Sequence, residues 1–162
     1  MNYFTLFNLE EKYDLDLKKL KEQYLQLMQK YHPDRAQIGE AKEYIEKSMK
    51  FNEAYKILVD PYERAKYLLN IRGYQIGDNN ILKYEELEQI LEEYDILDTI
   101  NNLDKLKEKE FNTNKKIENI LSKMNDSFAN NKFNDALDYT VRLKYFNNLV
   151  KNIKAKIKHA NN

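Results

Sequence analysis

Apolar residues recur along this chain at intervals of three and four, almost never in strict alternation, so helices are expected throughout and strands nowhere. Tyr3, Phe4, Leu6, Phe7 and Leu9 crowd into one short segment, a helix or turn that must dock onto a larger element. Asp16 stands as an N-cap before a run in which Leu20, Tyr24, Leu27, Met28 and Tyr31 trace one apolar face. Pro33 ends that run, because the residue before a proline is pushed away from the helical region. A loop through Gly39 leads to a second long helix, about Ala41 to Leu58, with Ile45, Met49, Asn52, Tyr55 and Leu58 on or near one face. Asp60-Pro61-Tyr62-Glu63 then reads as a capped start with proline in the first turn, and Gly73 as the stop of a short helix carrying Ala65, Leu68 and Leu69.

Turn chemistry from Gly73 through Gly77 and Asp78-Asn79-Asn80 separates this part from a second one. There the pattern predicts three longer helices. The first, about Leu82 to Asp98, carries Leu87, Ile90, Leu91, Tyr94 and Leu97. The second starts near Leu103, carries Ile117, Ile120, Leu121, Met124 and Phe128, and breaks at Asn130-Asn131; its stretch Phe111 to Asn114 is the weakest helical signal. The third, about Asn134 to Lys158, carries Leu143, Phe146, Val150, Ile153 and Ile157. Short connections favour antiparallel packing into a bundle. The expected architecture is all-α, with a first domain over 1–72, a linker over 73–81 and a three-helix domain over 82–162.

Composition narrows the chemistry. The 162 residues are 42% apolar and 33% charged, with three glycines, two prolines and no cysteine. The absence of cysteine removes disulfides, thiolate metal sites and cysteine nucleophiles together. No apolar stretch reaches the ~20 residues that span a bilayer, and no basic region followed by an apolar run opens the chain, so a cytoplasmic protein is expected. A formal net charge of zero argues against bulk binding to nucleic acid or anionic membranes. The charge is unevenly spread, however. Lys18, Lys19, Lys21, Lys30 and Arg35 make residues 17–35 basic, while Glu85, Glu86, Glu88, Glu92, Glu93, Asp95 and Asp98 make residues 82–98 acidic. Two oppositely charged segments in one neutral chain suggest two different partners.

The most informative residues are His32-Pro33-Asp34, set between a basic amphipathic helix and a second long one. Proline holds its two neighbours in a fixed relation, which lowers the entropy lost when they engage a partner. Histidine can donate or accept, and ionised aspartate accepts charge-assisted hydrogen bonds. The tripeptide taken alone is also what a helix-ending proline beside an exposed histidine looks like. A His–Asp pair without a nucleophile or metal partner is no catalytic set, so neither an enzyme nor a cofactor is expected.

Helix, His-Pro-Asp loop and helix resemble a J-domain, the module with which DnaJ-like proteins stimulate ATP hydrolysis by chaperones of the HscA/DnaK class. Asn2-Tyr3-Phe4-Thr5-Leu6-Phe7, Phe51-Asn52-Glu53-Ala54-Tyr55, Asp60-Pro61 and Arg64-Ala65-Lys66-Tyr67-Leu68-Leu69 resemble the HscB family in particular, and the likeness extends over nearly the whole chain. Three positions depart from the family pattern: Arg35 where lysine is usual, Asn8 where glycine is common and Glu10 where proline is common.

The resemblance implies a monomeric co-chaperone with two partners, an HscA/DnaK-class ATPase chaperone and an IscU-like iron–sulfur scaffold protein. It places His32, Pro33, Asp34, Arg35, Lys18, Lys21 and Lys30 against the chaperone. It places Ile90, Leu91, Tyr94, Asp95 and Asp98 against the scaffold, with Tyr145 as an aromatic contact from the last helix. A register one turn away, through Leu87, Leu91 and Asp95, fits the same pattern, and Ile90, Leu91 and Tyr94 also suit a bundle core. A J-domain protein for another client, or a plain helical interaction protein, are the alternative readings.

Overall fold

The structure, a computed structural model, describes residues 2–37, 39–77 and 82–160. Among these residues there are seven α-helices and one 3₁₀ turn, and no strand: α1 (Tyr3–Leu6), α2 (Leu17–Lys30), the turn Pro33–Arg35, α3 (Ala41–Val59), α4 (Pro61–Ile71), α5 (Tyr84–Thr99), α6 (Leu103–Ala129) and α7 (Phe133–Ala160). The chain divides into two compact units, Met1–Leu68 and Leu69–Asn162. The division falls inside α4, earlier than Gly73. The last turn of α4 is tied forward, because the Tyr74 N–H donates to the Leu69 carbonyl at 2.9 Å. Gly73 takes φ 84° to allow this, the left-handed conformation that ends many helices. Asp78-Asn79-Asn80, expected as linker turn chemistry, lie outside the described residues.

In the first unit, α1 is capped by Asn2, whose side chain accepts from the Thr5 N–H at 2.9 Å. Phe4 and Phe7 are buried. Tyr3 stacks on Tyr67 of α4 at 4.5 Å and donates its N–H to the Tyr67 hydroxyl. The chain then leaves through Asn8 at φ 52°, which accounts for glycine being common at this position. The left-handed region costs most residues ~1–2 kcal/mol, and asparagine is among the few that adopt it readily. Asp16 caps α2 by accepting from the Lys18 and Lys19 N–H groups at 3.0 Å. Asp60 caps α4 in the same way, accepting from Tyr62 and Glu63 at 2.9 Å. The buried Arg64 donates to the Leu58 carbonyl at 2.6 Å and lies over the Tyr13 ring. Burial pushes the Tyr13 hydroxyl up to about 12, against the opposing pull of Arg64.

The face that α3 buries differs from the one its sequence suggests. Ser48, Phe51, Ala54 and Leu58 are inside, while Ile45 and Met49 are exposed. Two tracks of helical spacing run back from Leu58, one through Ala54 and Phe51 and one through Tyr55, Asn52 and Met49. The large ring of Phe51 gains most from burial and turns its own track inward. Ser48 is accommodated because its hydroxyl donates to the Ile45 carbonyl at 2.9 Å.

In the second unit α6 and α7 form a hairpin around Asn130–Lys132, with Asn131 at φ 55° and the Lys132 N–H donating to Ser127 at 2.8 Å. α6 continues unbroken through Phe111–Asn114, and the buried Thr113 hydroxyl is accommodated there by donating to the Lys109 carbonyl at 2.8 Å. α5 lies on α7 through two aliphatic clusters, one of Leu82, Ile90 and Val141, the other of Leu97, Leu106, Leu149 and Ile153. Among the described residues no helix is long and apolar enough to cross a membrane.

Candidate interaction surfaces

The turn after α2 is built by its own three residues. His32 adopts an extended backbone, φ −64° and ψ 133°. Pro33 opens the 3₁₀ turn, where a fixed φ and a missing N–H cost nothing. The Arg35 N–H closes the turn onto the His32 carbonyl at 2.9 Å. The imidazole folds back over it: Nδ1 accepts from the Asp34 N–H at 3.3 Å and lies 3.5 Å from Asp34 Oδ2. With Nδ1 accepting, the neutral ring carries its proton on Nε2, so it offers a donor to the outside. Protonation would instead turn Nδ1 into a donor toward the Asp34 carboxylate. His32, Asp34 and Arg35 are exposed, and Pro33 is half-buried.

Tyr31, immediately before the turn, is its footing. Its ring meets Tyr44 edge-on at 5.5 Å and Phe51 at 5.7 Å, both on α3. Lys30 and Lys47 lie over the same ring at 5.2 and 4.3 Å, in reach of cation–π attraction. Tyr24, Leu27 and Tyr31 are half-buried rather than fully internal, and Leu20 is the buried residue of α2.

The structure does not gather all the predicted cations. Lys18 and Lys21 are exposed on one side of α2, whereas Lys30, about half a turn from Lys21 round the helix, is drawn onto Tyr31. On that side, one turn beyond Lys21, lies the exposed Leu25, which the sequence reading missed. The signal was available, since Leu25 falls out of phase with the stripe of Leu20, Tyr24 and Leu27.

The six expected contact residues, five on α5 and Tyr145 on α7, separate into three groups. Ile90 is 3% exposed, packed in the core with Leu82 and Val141, so its expected place at the surface is corrected. The next residue points about 100° away round the helix. That residue, Leu91, is 56% exposed. Asp95 and Asp98 are exposed with it. Tyr94 and Tyr145 are half-buried at the edge of the clusters; burial raises the Tyr94 hydroxyl above its ordinary value, and a hydrogen bond with Asn152 acts in the opposite sense. Tyr84, 80% exposed at the start of α5, was missed because it precedes the apolar stripe; it shares a solvent stripe with Glu88, Leu91, Asp95 and Asp98.

Not all the acidic residues of α5 face outward. Glu86 pairs with Arg142 of α7, and Glu93 pairs with both Lys109 and Lys116 of α6. Burial alone would raise the Glu93 carboxyl, but hydrogen bonds and charge from the two lysines outweigh it and hold the group below its ordinary value. Lys156 completes the C-terminus of α5 by donating to the Leu97 and Asp98 carbonyls at 2.7 and 3.0 Å. Glu85, Glu88, Glu92, Asp95 and Asp98 are left as the exposed acidic set.

A helical hairpin whose connecting turn is His-Pro-Asp, braced by a short N-terminal helix and a capped fourth one, is a J-domain, and here it is joined to an all-helical second unit. The DnaJ domain family matches residues 2–67, and the family described as HSCB C-terminal oligomerisation domain matches residues 84–154. A co-chaperone protein HscB homolog of Acinetobacter baumannii (strain SDF) is 30% identical over 154 residues, covering 94% of this chain and 88% of that protein. The crystal structure of human co-chaperone protein HscB superposes with a TM-score of 0.91 at 27% identity, covering 96% of this chain and 82% of that one. Chaperone HscB from Vibrio cholerae gives 0.85 at 25% identity, covering 96% of both chains. The chain belongs to the HscB family of J-domain co-chaperones, a family of chaperone partners rather than of catalysts.

Proposed function

We infer that this protein stimulates ATP hydrolysis by an HscA/DnaK-class chaperone and delivers an IscU-like scaffold protein to it, in support of iron–sulfur cluster assembly. The observation that carries the reading is the turn itself, a preorganised His32–Asp34 pair held outward by Pro33 and footed on Tyr31. In this reading the Asp34 carboxylate accepts from a cation on the chaperone, His32 Nε2–H donates beside it, and Pro33 and Arg35 complete the contact. Lys18 and Lys21 add charge that speeds encounter with an acidic surface, and Lys30 supports the turn through Tyr31. Residues 1–72 act as the chaperone-facing module.

Residues 82–162 act as the scaffold-facing module, joined to the first by the linker over 73–81. Leu91, Asp95 and Asp98 are the contact residues on α5, with Tyr94 and Tyr145 at its margin and Ile90 beneath as support. An exposed leucine set among carboxylates suits a partner surface that pairs an apolar spot with cations. Carrying both contacts in one chain raises the effective concentration of scaffold at the chaperone. The chemistry belongs to the chaperone, so this protein is an activator, and in this reading its place of work is the cytoplasm.

The test is steady-state ATP hydrolysis by an HscA-class chaperone titrated with this protein. Wild type raises the rate, and a folded His32→Gln variant does not. Equal stimulation by His32→Gln would remove the turn from the mechanism.

A further inference from the structure

α5 is seated on one side only. The two clusters beneath it are built with α7, and of their residues only Leu106, near the start of α6, comes from that helix. Glu86 and the C-terminus of α5 are likewise tied to α7, through Arg142 and Lys156. Toward the middle of α6 the structure leaves an open cleft of about 390 Å³, lined by Gln89, Glu93 and Ile96 of α5 and by Lys116, Ile120 and Lys123 of α6. Contact along one side fixes which face of a helix is inward. Its roll about that line of contact is fixed only by something on the other side.

Glu93 spans the cleft. One carboxylate oxygen, Oε2, accepts from Lys109 and the other, Oε1, accepts from Lys116. The two lysines are about two turns apart on α6, so they stand on nearly the same side of it and hold the carboxylate at two points. The Glu93 and Lys109 side chains are 19% and 12% exposed, which spares the bridge much of the solvent screening that makes surface ion pairs weak. Among the described residues, the ion pairs that join α5 to α6 both come from Glu93. Glu93 lies about 160° round the helix from Leu91, so any roll that moves Glu93 swings Leu91 and Asp95 with it.

We propose that Glu93 is a positioning residue for the scaffold-facing surface: by bridging the cleft to Lys109 and Lys116 it fixes the roll of α5, and so the direction in which Leu91, Asp95 and Asp98 point. This rests on the function inferred above and adds to it a residue that touches no partner. Packing on α7 turns Ile90 inward, and the bridge selects one roll from those that this packing allows. Without the bridge α5 samples the others. The apparent affinity for the scaffold then falls in proportion to the fraction of molecules that still present the competent face.

The experiment titrates the full-length protein with an IscU-like scaffold and reads the dissociation constant, at a temperature where helicity shows every variant to be folded. Glu93→Gln should bind about fivefold more weakly than wild type. Glu93→Lys combined with Lys109→Glu and Lys116→Glu, which rebuilds the bridge with its signs reversed, should return to within about twofold of wild type. Met124→Val loosens the buried contact in which the Thr140 hydroxyl donates to Met124 Sδ at 3.3 Å, between α6 and α7; it should lose stability and keep wild-type affinity. Wild-type affinity in Glu93→Gln would overturn this inference and leave Leu91 and its neighbouring carboxylates as the contact. Weakening that the reversed bridge does not repair, or that Met124→Val reproduces, would also overturn it, because Glu93 would then be a direct contact or a source of stability alone. Failure of wild type itself to bind the scaffold would overturn the inferred function and this inference with it.

Discussion

The two units present their outward groups by different means. In the first, shape is set by local backbone conformation and the side chains that cap it: Asn8 in the left-handed region, Pro33 opening a 3₁₀ turn, and aspartates capping the starts of α2 and α4. The exposed His32 and Asp34 sit where three consecutive residues put them. In the second, shape is set by side chains: two aliphatic clusters below α5, with Glu86 and Glu93 paired to α7 and α6. What α5 shows to solvent is whatever its packed face leaves over. A backbone-set group is insensitive to the fit of its neighbours, whereas a packing-set face moves with the rotation of the helix.

The sharpest way to test this contrast is at adjacent positions of α5. Ile90→Ala removes core volume and should cost about 2–4 kcal/mol, read as a lower melting temperature. Leu91→Ala should stay within about 0.5 kcal/mol of wild type in stability, yet weaken capture of an IscU-like scaffold in a titration. Equal destabilisation by both would mean that α5 has a different rotation from the one described.

That pair of residues also shows how far the sequence could be read. Caps, proline and glycine act locally, so the helices and the His-Pro-Asp turn were legible at Asp16, Pro33, Asp60 and Gly73. Which of Ile90 and Leu91 faces inward was not legible, nor was the inward track of α3, because both choices satisfy helical spacing. Packing against Val141 settles the first and burial of Phe51 the second. The pairing of Glu93 with lysines 16 and 23 residues away left no local trace, so it read as part of a solvated acidic face.

The side-chain character of the second unit predicts a pH dependence of intermediate size. Because the folded Glu93 titrates below its ordinary value of 4.5, its contribution is fully present above that pH. It is lost as pH falls through the folded value, when the carboxyl protonates and Lys109 and Lys116 lose their partner. Glu93→Gln should cost about 1–3 kcal/mol near neutral pH and reduce the acid sensitivity of the second unit, measured by thermal melts from pH 7 to pH 3. A pH profile identical to that of wild type would show that the pair does not hold α5 in place.

The smallest effect belongs to the backbone-set unit. Asn8→Ala should cost about 1 kcal/mol, because alanine pays the left-handed penalty with no polar side chain to offset it, and Asn8→Gly should cost less than Asn8→Ala. Denaturant midpoints at unchanged slope would check the order.

The central claim is that the two surfaces act together through one chain. Its most direct test is ATP hydrolysis by an HscA-class chaperone with this protein and an IscU-like scaffold added singly and together. The account predicts stimulation by the pair greater than the sum of the two alone, abolished by His32→Gln and reduced to the additive level by Leu91→Glu. Synergy that survives both substitutions, or a rate with the pair no greater than the sum, would contradict it.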